Sequence, residues 1–186
     1  KQLADMVRAR GDEFAKAISA DFGNRSQFET ALLESMILLS AIRYARKQVG
    51  WWMQPSPRDV DFAFCPGSAW VRHEPLGVVG IISPWNYPLQ LALSPLVDVL
   101  AAGNRAMIKP SEQTPQFSEL LKQAIADTFG EDTVAVVTGG PDMAAAFTQL
   151  PFDHLVFTGS TSIGRKVAAA TAEGLVPTTL ELGGKS

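Results

Sequence analysis

Apolar residues recur at three- and four-residue steps from Leu3 through Met6, Val7, Phe14 and Ile18. That is the spacing of one buried helical face, and it runs out near Gly23. Ser26-Gln27-Phe28-Glu29 then reads as a capping box, in which the Ser hydroxyl and the Glu carboxylate each take up a free backbone N–H at the start of a second helix. On this reading Phe28, Leu32, Met36 and Leu39 face inward. After Gly50 the pattern changes to Trp51-Trp52, then Pro55 and Pro57, then two short extended runs, Asp59 to Phe64 and Ser68 to Arg72, about Cys65-Pro66-Gly67. Such runs about a Pro-Gly turn predict a β-hairpin, an arm that packs on another part of the protein or on another subunit.

From Gly77 onward short apolar runs alternate with helical stretches. The predicted strands are 77–82, 105–109, 134–138, 154–158 and 178–182, and the predicted helices are 89–102, 115–129, 143–150 and 162–172. Thr114 suits an N-cap with Pro115 at the first helical position, and Gly103 and Gly130 stand where a helix end asks for positive φ. Strict strand–helix alternation implies an α/β fold with a parallel, doubly wound sheet. Three units are expected: a helical segment at 1–52, a linker and hairpin arm at 53–76, and a nucleotide-binding domain at 77–186. The pattern begins inside a helix at Lys1 and stops at Ser186 just after a strand, so the chain reads as part of a larger fold.

Composition narrows the function. Of 186 residues 46% are apolar, enough for one good core, and a net charge of -3 leaves no basic excess to neutralise the phosphates of a nucleic acid. Apolar runs are interrupted well short of the roughly 18 to 20 residues of a membrane span. A single cysteine, Cys65, excludes an internal disulfide and fits a reducing, cytoplasmic setting. His73 and His154, far apart and without ligand spacing, read as strand residues, so no metal site is expected.

Ligands of such sheets sit outside the carboxyl ends of the strands, so the segments that follow each strand are the candidates. They are Ser83-Pro84-Trp85-Asn86, Lys109-Pro110-Ser111-Glu112, Gly139-Gly140-Pro141, Gly159-Ser160-Thr161-Ser162-Ile163-Gly164 and Gly183-Gly184-Lys185. The stretch from Gly159 to Gly164 opens a helix whose free N–H groups suit a pyrophosphate. A Walker A motif fails, because Arg165 stands where the lysine belongs and Thr179 stands where Gly183-Gly184-Lys185-Ser186 would need its upstream glycine. Lys109 and Glu112 could hold an adenosine ribose, or form an ordinary solvated ion pair. Asn86 could aim its amide at a developing oxyanion, or cap a helix. Glu181, between Leu180 and Leu182, would be pushed toward the range of a general base if buried, and is an edge charge if turned to solvent.

In their order, Pro84-Trp85-Asn86-Tyr87-Pro88, Ala102-Gly103-Asn104, Lys109-Pro110-Ser111-Glu112, Phe157-Thr158-Gly159-Ser160-Thr161 and Glu181-Leu182-Gly183-Gly184-Lys185-Ser186 resemble the aldehyde dehydrogenase superfamily. The match runs from about Glu74 to Ser186, and the helical start with Pro55 to Pro57 is similar to the branch acting on fatty and aromatic aldehydes. The resemblance implies a variant Rossmann domain, a catalytic domain with a nucleophilic cysteine, and an arm that makes a dimer or tetramer. It implies oxidation of an aldehyde, coniferyl or another aromatic or fatty one, to the acid with NAD, or with NADP if Glu112 swings aside. Asn86 would be the oxyanion donor, Lys109 and Glu112 the ribose contacts, Ser160 a pyrophosphate contact, and Glu181 the base for water. Ser83, Pro84, Trp85, Gly140, Gly159, Thr161, Ser162, Ile163 and Gly164 would complete the cofactor site. In that family the nucleophile follows the Glu181 segment, and Cys65 precedes the nucleotide domain, so the 186 residues alone are expected to oxidise no aldehyde. Two alternatives stay open: a relative that passes the acyl group to coenzyme A, and a stand-alone NAD-binding module.

Overall fold

The computed structural model describes residues 1–184, so Lys185 and Ser186, the end of the last motif, lie outside the described residues. Helix α1 (Gln2–Asp21) is followed by a short α2 (Gln27–Thr30), a π-helical turn (Ala31–Ser35) and α3 (Met36–Trp52). Two short antiparallel strands, β1 (Ser56–Arg58) and β2 (Ala69–Val71), flank a 3-10 turn at Phe62–Phe64. Then come β3 (Val78–Ile82), α4 (Pro88–Ala101), β4 (Arg105–Lys109), α5 (Pro115–Thr128), β5 (Val134–Val136), α6 (Pro141–Thr148), β6 (His154–Gly159), α7 (Thr161–Glu173) and β7 (Thr178–Leu182).

Strands β3 to β7 form one parallel sheet in the order β5-β4-β3-β6-β7. The chain winds outward from β3 to β5, returns through α6 to pair β6 with β3, and continues to β7. The order reverses beside β3, which is the switch point of a doubly wound sheet. Burial follows the same division. Against one face, Val79, Ile81, Ala106, Ile108 and Val134 share a core with Leu93 and Leu96 of α4, Phe117 and Leu121 of α5, and Phe14, Ile18 and Leu38 from the N-terminal helices. The other face carries a smaller cluster of Ile82, Phe147, Phe152, Leu155, Phe157 and Val167. Helices α1 and α3 thus pack over α5 and α4 on that side, each fully buried Leu or Phe contributing about 1.5 to 3 kcal/mol.

Several local expectations are corrected. Phe28, Leu32 and Met36 are exposed, and the buried stripe of the second helical stretch is Thr30, Glu34, Leu38, Ile42 and Ala45. A buried carboxylate at Glu34 turns the helix away from its most apolar side, and the π-turn, with its wider spacing, lies at that point. Only half of the capping box forms: Ser26 Oγ accepts from Glu29 N at 3.4 Å, while the Glu29 carboxylate lies 3.5 Å from Arg25. The arm pairs through residues 56–58 rather than 59–64, where Asp61 Oδ1 takes the Ala63 N–H and caps the 3-10 turn. His73 follows β2 in an irregular stretch, and His154, on β6, bonds Thr179 Oγ1 at 2.9 Å. Gly103 has φ +80°, as its helix end asks, but Gly130 is not in the left-handed region because α5 ends at an extended Phe129. Thr114 stands at the N-cap of α5 without bonding its amides; Asp21 of α1 does so instead, accepting from Gln116 N at 3.0 Å and Phe117 N at 2.9 Å.

Candidate functional site

The parallel sheet brings the carboxyl ends of all its strands to one edge, and the predicted residues fall there strand by strand. At the end of β3, Ser83 donates its backbone N–H to the Lys109 carbonyl at 3.2 Å, which joins the first two loops. Its hydroxyl is buried with no hydrogen-bond partner. Lys109 ends β4 and is only 2% exposed. Its ammonium donates to the Pro110 carbonyl at 3.0 Å and to Glu112 Oε2 at 3.3 Å. The solvated ion pair is therefore ruled out on the lysine side, since only the Glu112 carboxylate, 42% exposed, meets solvent. An ammonium has three N–H donors, so one remains for a ligand beside that carboxylate.

On the far half of the edge, Ser160 is the N-cap of α7 and accepts from Ile163 N at 3.4 Å, with Ser162 Oγ 3.1 Å away. Ser160, Thr161, Ser162 and Ile163 are exposed at this 13-residue helix's N-terminus, which favours an anion. Gly164 is buried, and a Cβ there would meet Leu182 Cδ2 at 2.5 Å, so the glycine lets α7 lie close on β7. Gly159 ends β6, and Gly140 is the N-cap of α6, where a side chain would point into open space. Glu181 pairs in register with Thr158 and is exposed. Of its two readings the exposed edge charge is the one that holds, since β7 is an edge strand with β6 as its one partner among the described residues.

Asn86 lies in the turn between β3 and α4. The N-cap of α4 is Tyr87, so the capping role open to Asn86 is not the one it takes. Its carbonyl accepts a 2.6 Å hydrogen bond from Arg25 Nη1. The Arg25 guanidinium is sandwiched between the rings of Phe22, 5.1 Å from the centroid, and Tyr87, 4.7 Å. Trp85 leans on Phe22 with centroids 5.8 Å apart. A shallow, open hollow of about 390 Å³ lined by Phe22, Asn24, Arg25, Glu29, Trp85, Asn86 and Tyr87 lies beside the turn.

Sequence reasoning missed Arg25 and Glu34. Glu34 is fully buried. Its Oε2 accepts from Leu89 N at 2.8 Å and Gln90 N at 3.2 Å, the free amides of α4's first turn, and its Oε1 lies 3.5 Å from Arg25 Nη2. Burial, the largest influence, pushes the Glu34 carboxyl above its ordinary value of 4.5; the nearby Glu29 pushes the same way, while the amide of Gln90, Arg25 and the amide of Leu89 pull it down. The desolvation of such a pair costs several kcal/mol per ion. Thr30, Glu34, Leu38 and Ile42 stand four apart on one helical face, but spacing alone does not say that this face, rather than the more apolar one of Phe28, Leu32 and Met36, is the buried one.

Comparison with known proteins bears on all 186 residues. The family model described as "Aldehyde dehydrogenase family" matches residues 1–186. A probable coniferyl aldehyde dehydrogenase of Pseudomonas aeruginosa is 54% identical over 186 residues, covering 100% of this chain and 39% of that protein. The coniferyl aldehyde dehydrogenase of a Pseudomonas species is 47% identical over 182 residues, 97% of this chain and 37% of its own length. Among solved structures, a substrate-bound AldH of Staphylococcus aureus superposes with a TM-score of 0.96 at 37% identity, over 100% of this chain and 40% of that one. A Mycobacterium tuberculosis aldehyde dehydrogenase complexed with NAD+ gives 0.86 at 34% identity, over 98% of this chain and 37% of that one. The chain spans about two fifths of the length of the relatives it matches.

Proposed function

The chain belongs to the aldehyde dehydrogenase family, and from that premise we propose that it supplies the dinucleotide site and the oxyanion donor of an NAD-dependent oxidation of an aldehyde to its acid. The substrate class we assign is an aromatic aldehyde of the coniferyl kind, on the strength of the 47–54% identity to proteins so described. The single observation that carries the cofactor reading is the buried Lys109 ammonium, held by Pro110 and Glu112 at a strand end with one N–H left over.

The residues fit a dinucleotide. Lys109 donates to, and Glu112 accepts from, the hydroxyls of a ribose, while a 2'-phosphate would meet the Glu112 carboxylate as a like charge, which favours NAD over NADP. Ser83, Pro84 and Trp85 line the approach on the β3 side, and Gly140 leaves room on the β5 side. Gly159, Ser160, Thr161, Ser162, Ile163 and Gly164 offer the helix N-terminus for the pyrophosphate. When bound, a nicotinamide would accept the hydride that leaves the substrate's tetrahedral carbon as its C–H bond breaks. Asn86 donates its side-chain N–H to the oxygen that becomes negative as the carbonyl carbon turns tetrahedral. By its match to the family's Glu-Leu-Gly-Gly-Lys segment, and not by burial, Glu181 would take a proton from the water that attacks the acyl carbon and displaces the nucleophile holding it. Cys65 has no part in the chemistry, because it is exposed in the arm between β1 and β2 rather than at a strand end. The exposed Phe62, Phe64 and Trp70 of that arm suit contact with a second subunit, in a cytoplasmic dimer or tetramer.

Titration of the purified chain with NAD and NADP tests the cofactor reading. Saturable NAD binding that weakens about tenfold in Glu112→Gln supports it, with the Glu112 term at roughly 1.4 kcal/mol. NADP binding tighter than NAD, or no binding of either, overturns it.

A further inference from the structure

We propose that Glu34 and Arg25 are positioning residues that hold the Asn86 turn in its working geometry, by gripping it from both ends. The proposal rests on the reading of Asn86 as the oxyanion donor. Glu34 grips the far end of the turn through Leu89 N and Gln90 N, and Arg25 grips the near end through the Asn86 carbonyl. The two grips are one unit, since Arg25 Nη2 faces Glu34 Oε1 at 3.5 Å and the guanidinium is stacked between Phe22 and Tyr87.

Stability alone gives a poor account of the pair. Glu34 Oε1, Arg25 Nε and Arg25 Nη2 are buried without a hydrogen-bond partner. An imperfectly satisfied buried pair is less stabilising than well-packed apolar residues of the same volume. A neutral local N-cap could satisfy the α4 amides, as Ser160 does for α7. What the ion pair adds is a double hold on one turn: it ties the turn at the end of β3 to residues 55 and 61 positions earlier in the chain. A hydrogen-bond donor for a transition state is useful only if its direction is held before the reaction, and a misplacement on the order of 1 Å can cost about 100-fold in rate.

A double-mutant cycle in the catalytically competent protein that carries this chain tests the proposal. Glu34→Gln and Asn86→Ala are made singly and together, with kcat, KM for NAD and thermal melting measured for each. We expect Glu34→Gln to lower kcat about 10-fold with KM for NAD unchanged, and to have no further effect on kcat once Asn86 is Ala, because it acts through Asn86. A merely structural role moves the melting temperature and leaves the same fold-loss in kcat in both backgrounds; that result overturns the proposal. An unchanged kcat in Glu34→Gln overturns it too, while leaving the Asn86 reading intact if Asn86→Ala is itself impaired. If Asn86→Ala is as active as the parent, the oxyanion reading falls, and the positioning role falls with it. Should Glu34→Gln fail to fold, Arg25→Gln, which leaves the α4 amides capped, is judged by the same cycle.

Discussion

The two halves of the sheet's carboxyl edge differ in how they are held. On the β3–β4 side the loops are tied to one another through Ser83 and Lys109, and to the N-terminal helices through Arg25 and Glu34. On the β6–β7 side, Ser160 is held among the described residues by its own helix, and Glu181 stands exposed on an edge strand. Both halves carry family motifs of equal clarity, yet one buries a lysine and the other leaves a glutamate in solvent. Identical legibility in sequence therefore goes with unequal burial in space, because burial comes from the layers packed over a strand. β3 and β4 lie beneath α3, α4, α5 and α1, whereas β7 has β6 on one side alone among the described residues.

That contrast can be broken by mutation. Leu121→Ala, in the core of the first face, is expected to cost about 2 to 5 kcal/mol in denaturant unfolding, whereas Leu175→Ala, at a residue 87% exposed, should stay within about 0.5 kcal/mol. Equal losses would end the comparison. Next comes Asn86→Ala, which should lower kcat of the competent protein by about 100- to 1000-fold, roughly 3 to 4 kcal/mol, with NAD affinity unchanged in a binding titration. A smaller effect is expected where the chain bends back after α7: Leu175 has φ +52°, so Leu175→Gly should raise stability by up to about 1 kcal/mol, read as a higher melting temperature.

The gentlest test is by pH. The Glu34 carboxyl is raised in the folded state above its ordinary 4.5, chiefly by burial, with Arg25 and Glu29 the charged groups facing it. The folded state therefore holds that proton more tightly than the unfolded chain. The stability linked to Glu34 is fully present below 4.5 and is lost as pH rises through the raised folded value. Glu34→Gln cannot titrate, so its stability relative to the parent should improve as pH rises across that window, in parallel unfolding curves for the two proteins. A difference that stays flat with pH would remove the buried-carboxylate account.

Local pattern went far for the sheet and less far for the helices. Strands 105–109 and 178–182 fall where the apolar runs stand, and the other three agree in place, with ends that move by one or two residues. Each is a short apolar run bounded by turn residues, and in a sheet covered on both faces such a run has few other places to go. The second helical stretch misled, because its most apolar stripe of Phe28, Leu32 and Met36 is not its buried one. Periodicity identifies a helix but not the neighbour that claims a face, and here α4 claims the face with Glu34. The candidate site divides in the same way. Asn86, Glu112 and Ser160 become candidates from their places after strands, and Lys109 and Glu181 from their places at strand ends, whereas Arg25 and Glu34 matter only because a distant turn lands on them.

The amino-acid sequence by itself determined the alternation of strands and helices, the polar loops after each strand, and membership of a family, since all of these rest on local spacing and residue type. Only the tertiary structure decided the order β5-β4-β3-β6-β7, the burial of Lys109 against the exposure of Glu181, and the capping of α4 by Glu34 and of α5 by Asp21. The physical reason is that burial and long-range hydrogen bonds depend on which remote segment arrives to cover a group, and no local pattern of residues carries that information.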